Sequence, residues 1–190
     1  ALLEMMDICE TLGDTKSVKM YKGWYEDIKK AFNDAAWDGK WWIRWFDKEG
    51  NAYGTHKAKY GKIYCNSQSW SVMSGIAYGE RAIMGMDSLN KLLNTANGVK
   101  SSTPGYRGFD GRVGGISTYP PGAKENGGIF LHTNPWVMIA ETILGRGDKA
   151  FQYYNQINPA SKNAKLDEFE SEPYCYPQNI LGDEHKQFGM

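Results

Sequence analysis

No charge of either sign is in excess in this chain, where 22 basic residues stand against 22 acidic ones. A surface without a net field offers nucleic acid or an anionic membrane little to hold, so neither is expected as the main partner. Long apolar runs are missing as well. None approaches the roughly 20 residues a spanning helix needs, and no secretory signal opens the chain. Cysteine is scarce: Cys9, Cys65 and Cys175 are odd in number, far apart and in no metal-ligand spacing. Three reduced thiols in a cytoplasmic protein are therefore expected, with no metal. A GxSxG elbow, a phosphate P-loop and a dinucleotide GxGxxG are all absent. No repeat of fixed period marks a regular solenoid, which leaves a helical toroid ahead of it.

What the chain does have is length for one domain with a real core, or for part of a larger one. Its apolar content of 41% and charged content of 23% are ordinary for a globular protein. Aromatics are not: they make up 14%, with seven Trp and twelve Tyr, several in glycine-rich stretches. Two readings stay open, an aromatic-rich core and a surface that stacks sugars or bases on flat rings.

Residues 2–12 are apolar almost all round, which predicts a helix packed on both sides. Gly13 ends it, and Asp14 or Thr15 caps a second helix in which Val18, Tyr21, Tyr25, Ile28, Phe32 and Ala35 recur at helical steps. After Asp38-Gly39 the run Trp41–Phe46 predicts a strand, closed by a hairpin turn at DKEGN. A short extended segment is expected at Lys62–Cys65. Helices are expected at Gln68–Ala77 and at Glu80–Ala96, the second with Ile83, Met86, Leu89, Leu92, Leu93 and Ala96 in register and stopped by Asn97-Gly98. Residues 98–132 hold glycines and prolines without a period, too long for an idle connection. Thr133 or Asn134 then caps a helix with Pro135 in its first turn, and Gly145 and Gly147 separate it from another opened by Asp148. Residues 159–190 show no clear element.

Tyr119–Trp136, YPPGAKENGGIFLHTNPW, concentrates the candidate chemistry. Its glycines and prolines exclude a long helix and fix a backbone that a ligand can approach. Lys124 and Glu125 read as a solvated surface pair or as a donor and acceptor for neighbouring sugar hydroxyls. His132 reads as a loop histidine with an ordinary hydrogen bond, or as an anion site assisted by the following helix N-terminus. His56 and His185, in polar, glycine-flanked surroundings, are expected to be exposed.

YPPGAKENGGIFLHTNPWVMIAETILGRGDKAFQYYNQINP, followed by EPYCYPQNILGDEH, resembles the catalytic domain of the cellobiose phosphorylase family, inverting glycoside phosphorylases of glycoside hydrolase family 94. AAWDGKWWIRWFDKEGNAYG and IYCNSQSW also look like that family's segments, so the resemblance spans the chain. It implies a mainly α fold, part of an (α/α)6 toroid with long active-site loops and a minor β-hairpin. It implies reversible, inverting cleavage of a β-linked glucosyl disaccharide or oligosaccharide by inorganic phosphate, without a cofactor. Carried over by motif, Lys124 and Glu125 would contact the donor sugar, Tyr119 the acceptor, His132 the phosphate and Gln178 a further sugar position. A cytoplasmic, homodimeric parent is implied.

The family's general acid, in an Asp-Trp-Asn-Asp motif, has no counterpart here, so no catalytic residue is assigned to this chain. Nor are the family's upstream phosphate-contacting arginine and its downstream Asn-Ser-Trp-Leu-Thr-Gly segment matched. Residues 1–190 are therefore expected to be an internal part of a longer catalytic domain, inactive and prone to associate alone. Tyr119 favours a glucosyl acceptor over N,N'-diacetylchitobiose, while Gly114-Gly115 leaves room for a longer or differently linked acceptor, so cellobiose, cellodextrin and laminaribiose all stay open. An inverting toroidal hydrolase and a non-catalytic carbohydrate-binding helical module stand as alternatives. The hydrolase would need a second carboxylate about 6.5–9.5 Å from the first.

Overall fold

Helical hairpins carry the frame, and the computed structural model describes residues 1–190. The helices α1 (Leu2–Thr11) and α2 (Thr15–Ala35) pack against each other across a short turn at Gly13, whose φ is +73°. Asp14 caps α2 by accepting the Ser17 N–H at 3.0 Å, as the sequence predicts. The expected two-sided packing of α1 is not found. Cys9 is its one buried residue, and Ile8 and Leu12 are 50% and 77% exposed, because α2 is its principal neighbour.

The predicted strand at Trp41–Phe46 is reduced to Trp45–Phe46 (β1), which pairs antiparallel with Ala52–Tyr53 (β2) around the DKEGN turn. Upstream, an isolated antiparallel bridge between Trp37 and Trp42 and the side chain of Gln68 take the place of a longer strand pair. Trp42 N–H donates to Gln68 Oε1 at 3.0 Å, and Gln68 Nε2 donates to the Trp42 carbonyl at 2.8 Å. That pairing satisfies the buried backbone and lets Trp41, Trp42 and Ile43 enter the core.

β3 (Ile63–Tyr64) runs directly into α3 (Cys65–Met73), so this helix starts and ends before the expected Gln68–Ala77. α4 (Gly79–Leu93) also stops before its expected end at Ala96. Asn94–Thr95 (β4) folds back on Gly98–Val99 (β5), which makes Asn97-Gly98 part of a hairpin turn rather than a helix stop. Gly98 takes φ +124°, and a Cβ there would meet methyl groups of Ile157 at 2.8 Å and Ile129 at 2.9 Å, so glycine is required. The shorter helix buries Ala82, Gly85, Met86, Leu89 and Leu93 and leaves Ile83 and Leu92 exposed.

β6 (Ser102–Thr103) pairs with β3. β7 (Ile129–Phe130) leads into α5 (Asn134–Ile143), which forms a second helical hairpin with α6 (Gly147–Ile157) and also packs on α3. The tail, undefined in the sequence, contains a 3-10 turn at Pro159–Lys165, the short α7 (Leu166–Phe169) and β8 (Asn179–Ile180). β8 pairs antiparallel with β7. The main core gathers Trp42, Met86, Leu89, Val137 and Tyr153 between α3, α4, α5 and α6. The architecture is mainly α with two-residue strands, as expected for part of an (α/α)6 toroid. No helix is long and apolar enough to cross a membrane.

Candidate active site

The turn that carries Lys124 and Glu125 is built by its own backbone. Gly122 N–H donates to the Asn126 carbonyl at 2.8 Å, Asn126 N–H to Ala123 at 3.0 Å, and Gly128 N–H to Lys124 at 2.9 Å. Lys124 sits at φ +48°, a conformation uncommon outside glycine, so the turn is held by its surroundings. Lys124 and Glu125 are exposed, and neither joins an ion pair, with each other or with any residue. Both charges are thus solvent-facing and free to meet a ligand. The Glu125 backbone is fixed from beneath, its carbonyl accepting from Ser101 Oγ at 3.2 Å.

His132 follows β7 and is exposed. Its ring is set edge-on between Phe130 and Trp136, with centroids 5.3 and 5.4 Å away. Thr133 is the N-cap of α5 with Pro135 in the first turn, as expected, but neither Thr133 nor Asn134 makes a side-chain capping bond. Thr133 Oγ1 donates back to the Phe130 carbonyl at 2.9 Å, while the Asn134 amide bridges Val99 and Phe130. Both side chains are occupied in binding β5 and β7 to the helix start. The α5 N-terminus consequently has no side-chain cap, and its dipole lies two residues beyond His132.

Glu125, His132 and Thr133 line one cleft of about 140 Å³, together with Arg44, Tyr64, Asn66, Ser101, Ile116 and Phe130. Glu125 is the only carboxylate among these residues. His132 also borders a larger, mostly apolar groove of about 510 Å³ that contains Gln178, Tyr154 and Tyr176. Gln178 reaches that position because β8 pairs with β7, and its carbonyl accepts the Leu131 N–H at 3.2 Å. Tyr119 and Lys124 line neither cleft; Tyr119 is 41% exposed on the flank of the same turn. The structure therefore joins Glu125 to His132 and His132 to Gln178, and leaves Tyr119 and Lys124 at the edge.

Sequence reasoning gave no role to Arg44, Tyr64, Asn66 or Ser101. Arg44 forms no ion pair and stands 5.9 Å from the Tyr64 ring. Burial, followed by its hydrogen bond to Tyr106, pushes the Tyr64 phenol well above its usual pKa, so Tyr64 stays neutral. Burial also pushes the neighbouring Cys65 thiol up to about 12, which fits a packing role. His56 and His185 are half-buried rather than exposed. His56 Nδ1 lies 3.0 Å from Asp38 Oδ2, and His185 Nδ1 accepts the Gln187 N–H at 3.2 Å. Folding brings His56 onto Asp38, 18 residues away, whereas the His185 contact is local, two residues along the same loop.

A carboxylate, an unpaired guanidinium, an imidazole and hydroxyls on one wall suit a polyhydroxyl ligand beside an anion. Comparison with known proteins gives that chemistry a family. The sequence profile of the glycosyl hydrolase 94 superfamily catalytic domain matches residues 1–190. The chain belongs to this superfamily. It is 35% identical to N,N'-diacetylchitobiose phosphorylase of Vibrio proteolyticus over 191 residues, which is 100% of this chain and 24% of the relative. Solabiose phosphorylase of Paenibacillus borealis is 33% identical over 162 residues, 85% of this chain and 21% of that protein. Cellobionic acid phosphorylase of Neurospora crassa is 28% identical over 153 residues, 80% and 19%. The chain thus spans about a quarter or less of the length of these relatives.

Proposed function

We propose that residues 1–190 form part of the (α/α)6 catalytic domain of an inverting glycoside phosphorylase, and that the cleft between Glu125 and His132 lies in its active site. The observation that carries this reading is the meeting of an unpaired carboxylate and an imidazole near an uncapped helix N-terminus, in a chain of this superfamily. Glu125 accepts from hydroxyls of the donor sugar and Lys124 donates to them. Gln178 adds a sugar contact from the far side of His132, and Tyr119 meets the acceptor. His132, with Arg44 nearby, holds inorganic phosphate, and the α5 dipole favours the anion.

A phosphate oxygen then forms a bond to the anomeric carbon as the bond to the bridging oxygen breaks on the opposite face. A general acid outside this chain delivers the proton to the leaving oxygen. Phosphate takes the place of the hydrolase's water and base carboxylate, so a second carboxylate in this cleft is unnecessary. No cofactor enters the scheme; phosphate is a co-substrate. The substrate is a β-linked disaccharide or short oligosaccharide. Tyr119 supports a cellobiose- or cellodextrin-like glucosyl compound, while the relatives' names support assaying chitobiose beside it. We place the enzyme in the cytoplasm, which the free Cys9, Cys65 and Cys175 support, as a homodimer.

Kinetics of the full-length enzyme test the assignment. His132→Ala should raise the KM for phosphate about tenfold or more and alter the saccharide KM less, whereas Glu125→Gln should do the reverse. Equal effects of both variants on both substrates would contradict the division of roles.

A further inference from the structure

Asn126 follows Glu125 directly, yet its side chain points the other way and is completely buried. Its amide uses both ends. Oδ1 accepts the Tyr106 N–H at 2.6 Å, and Nδ2 donates to the Tyr106 carbonyl at 2.8 Å and to the Tyr119 carbonyl at 2.7 Å. Tyr106 and Tyr119 are the two ends of a glycine-rich excursion that is otherwise largely exposed, with Phe109 at its outer part 73% exposed. One buried side chain therefore closes the base of this loop and ties it to the turn bearing Glu125.

The attachment is tight on both sides. A Cβ at Gly105 would meet the Asn126 carbonyl at 3.2 Å and Pro121 at 3.0 Å, so the two backbones are in direct contact. The Tyr106 hydroxyl lies 2.9 Å from that of Tyr64, which lines the cleft shared by Glu125 and His132. The loop base is thus joined to the cleft by backbone and by side chain.

We propose that Asn126 is a positioning residue: its amide holds the acceptor wall at Tyr119 in register with the donor carboxylate of Glu125. The inference rests on the phosphorylase reading for the identity of the two walls. It makes acceptor recognition depend on a residue that touches neither sugar. Two amide donors lost at a buried site correspond to a weakening of about tenfold, concentrated on whichever ligand the released loop contacts.

The test uses the full-length enzyme in the synthetic direction, from sugar 1-phosphate and acceptor sugar. Asn126→Asp keeps an oxygen for the Tyr106 N–H but has no donor for the carbonyls of Tyr106 and Tyr119. It should raise the acceptor KM about tenfold while the sugar 1-phosphate KM stays within about threefold. The amides of residues 107–118 should also exchange with solvent faster than in the wild type. A fall in kcat with both KM values unchanged is the mark of a merely structural role and would overturn the inference, as would equal rises in both. Asn126→Ser, which retains one donor in less space, is measured alongside and should show the same split at smaller size; an absent split there, if Asn126→Asp does not fold, overturns it too. Should the wild type make no saccharide from sugar 1-phosphate, the phosphorylase reading falls separately. Unchanged exchange at residues 107–118 would then overturn the tie itself.

Discussion

Asp38 illustrates how far a single side chain can organise a loop. Its Oδ1 accepts the N–H groups of Lys40 and Trp41 at 2.9 and 3.0 Å, and its Oδ2 accepts that of His56 at 2.7 Å. Burial opposes the charge, but these donors prevail and hold the carboxyl below its usual pKa. For an acid with a depressed folded pKa, the stabilisation is present above the unfolded value of about 3.9 and is lost as pH falls through the folded one. Asp38→Ala should therefore cost about 1–3 kcal/mol at neutral pH, measured by thermal unfolding. The gap between variant and wild type should shrink on acidification below about pH 4, and a gap independent of pH would contradict the account. At this scale the sequence shows what is consecutive: Glu125 and His132 stand within one motif and line one cleft, while Lys124 of the same motif lines none. It was silent on Arg44, Tyr64, Asn66 and Ser101, which reach the cleft from separate elements. The Asp38–His56 contact was hidden for the same reason, since nothing local to either residue announces its partner.

Among the elements, the corner between α5 and α6 is secured by charge. Glu141 is fully buried and accepts from Arg146 Nε, while Arg146 also reaches Asp87 on α4 at 2.6 Å, where Lys149 joins it at 2.9 Å. Burial raises the Glu141 carboxyl above its usual pKa, and Arg146 opposes that shift. Arg146→Met would leave Glu141 buried and unpaired, at a cost of about 3–5 kcal/mol. Asp87 is half-exposed, so Asp87→Asn should cost no more than about 1 kcal/mol. Urea unfolding of the two variants checks the order, and a larger loss from Asp87→Asn would contradict it. The helices α2, α5 and α6 were legible because their patterns and stop signals are local. The pairs β3–β6 and β7–β8 were not: each strand is two residues long, and its partner lies far along the chain. The end of α4 was misread because Asn97-Gly98 suits a helix stop and a hairpin turn equally well.

Over the whole molecule, apolar surface is left open. Ile8 on α1 and Leu12 just after it, Trp24 and Ile28 on α2, and Phe151 on α6 are each about half exposed or more. Such faces favour association. The 190-residue chain alone should elute above its monomer mass in size-exclusion chromatography with light scattering, and Ile8→Lys with Leu12→Glu should shift it towards monomer. A monodisperse monomer of the unmodified chain would contradict the expectation. The family was legible in the motif, and the profile match bears that out. The full catalytic constellation was not, because the cleft holds the carboxylate of Glu125 and no other.

The most direct measurement follows the full-length enzyme by NMR with cellobiose, cellodextrin and N,N'-diacetylchitobiose, with and without inorganic phosphate. The account predicts turnover that requires phosphate and yields the α-anomer of a sugar 1-phosphate from one of these β-linked substrates. Free sugar released at the same rate without phosphate would contradict it.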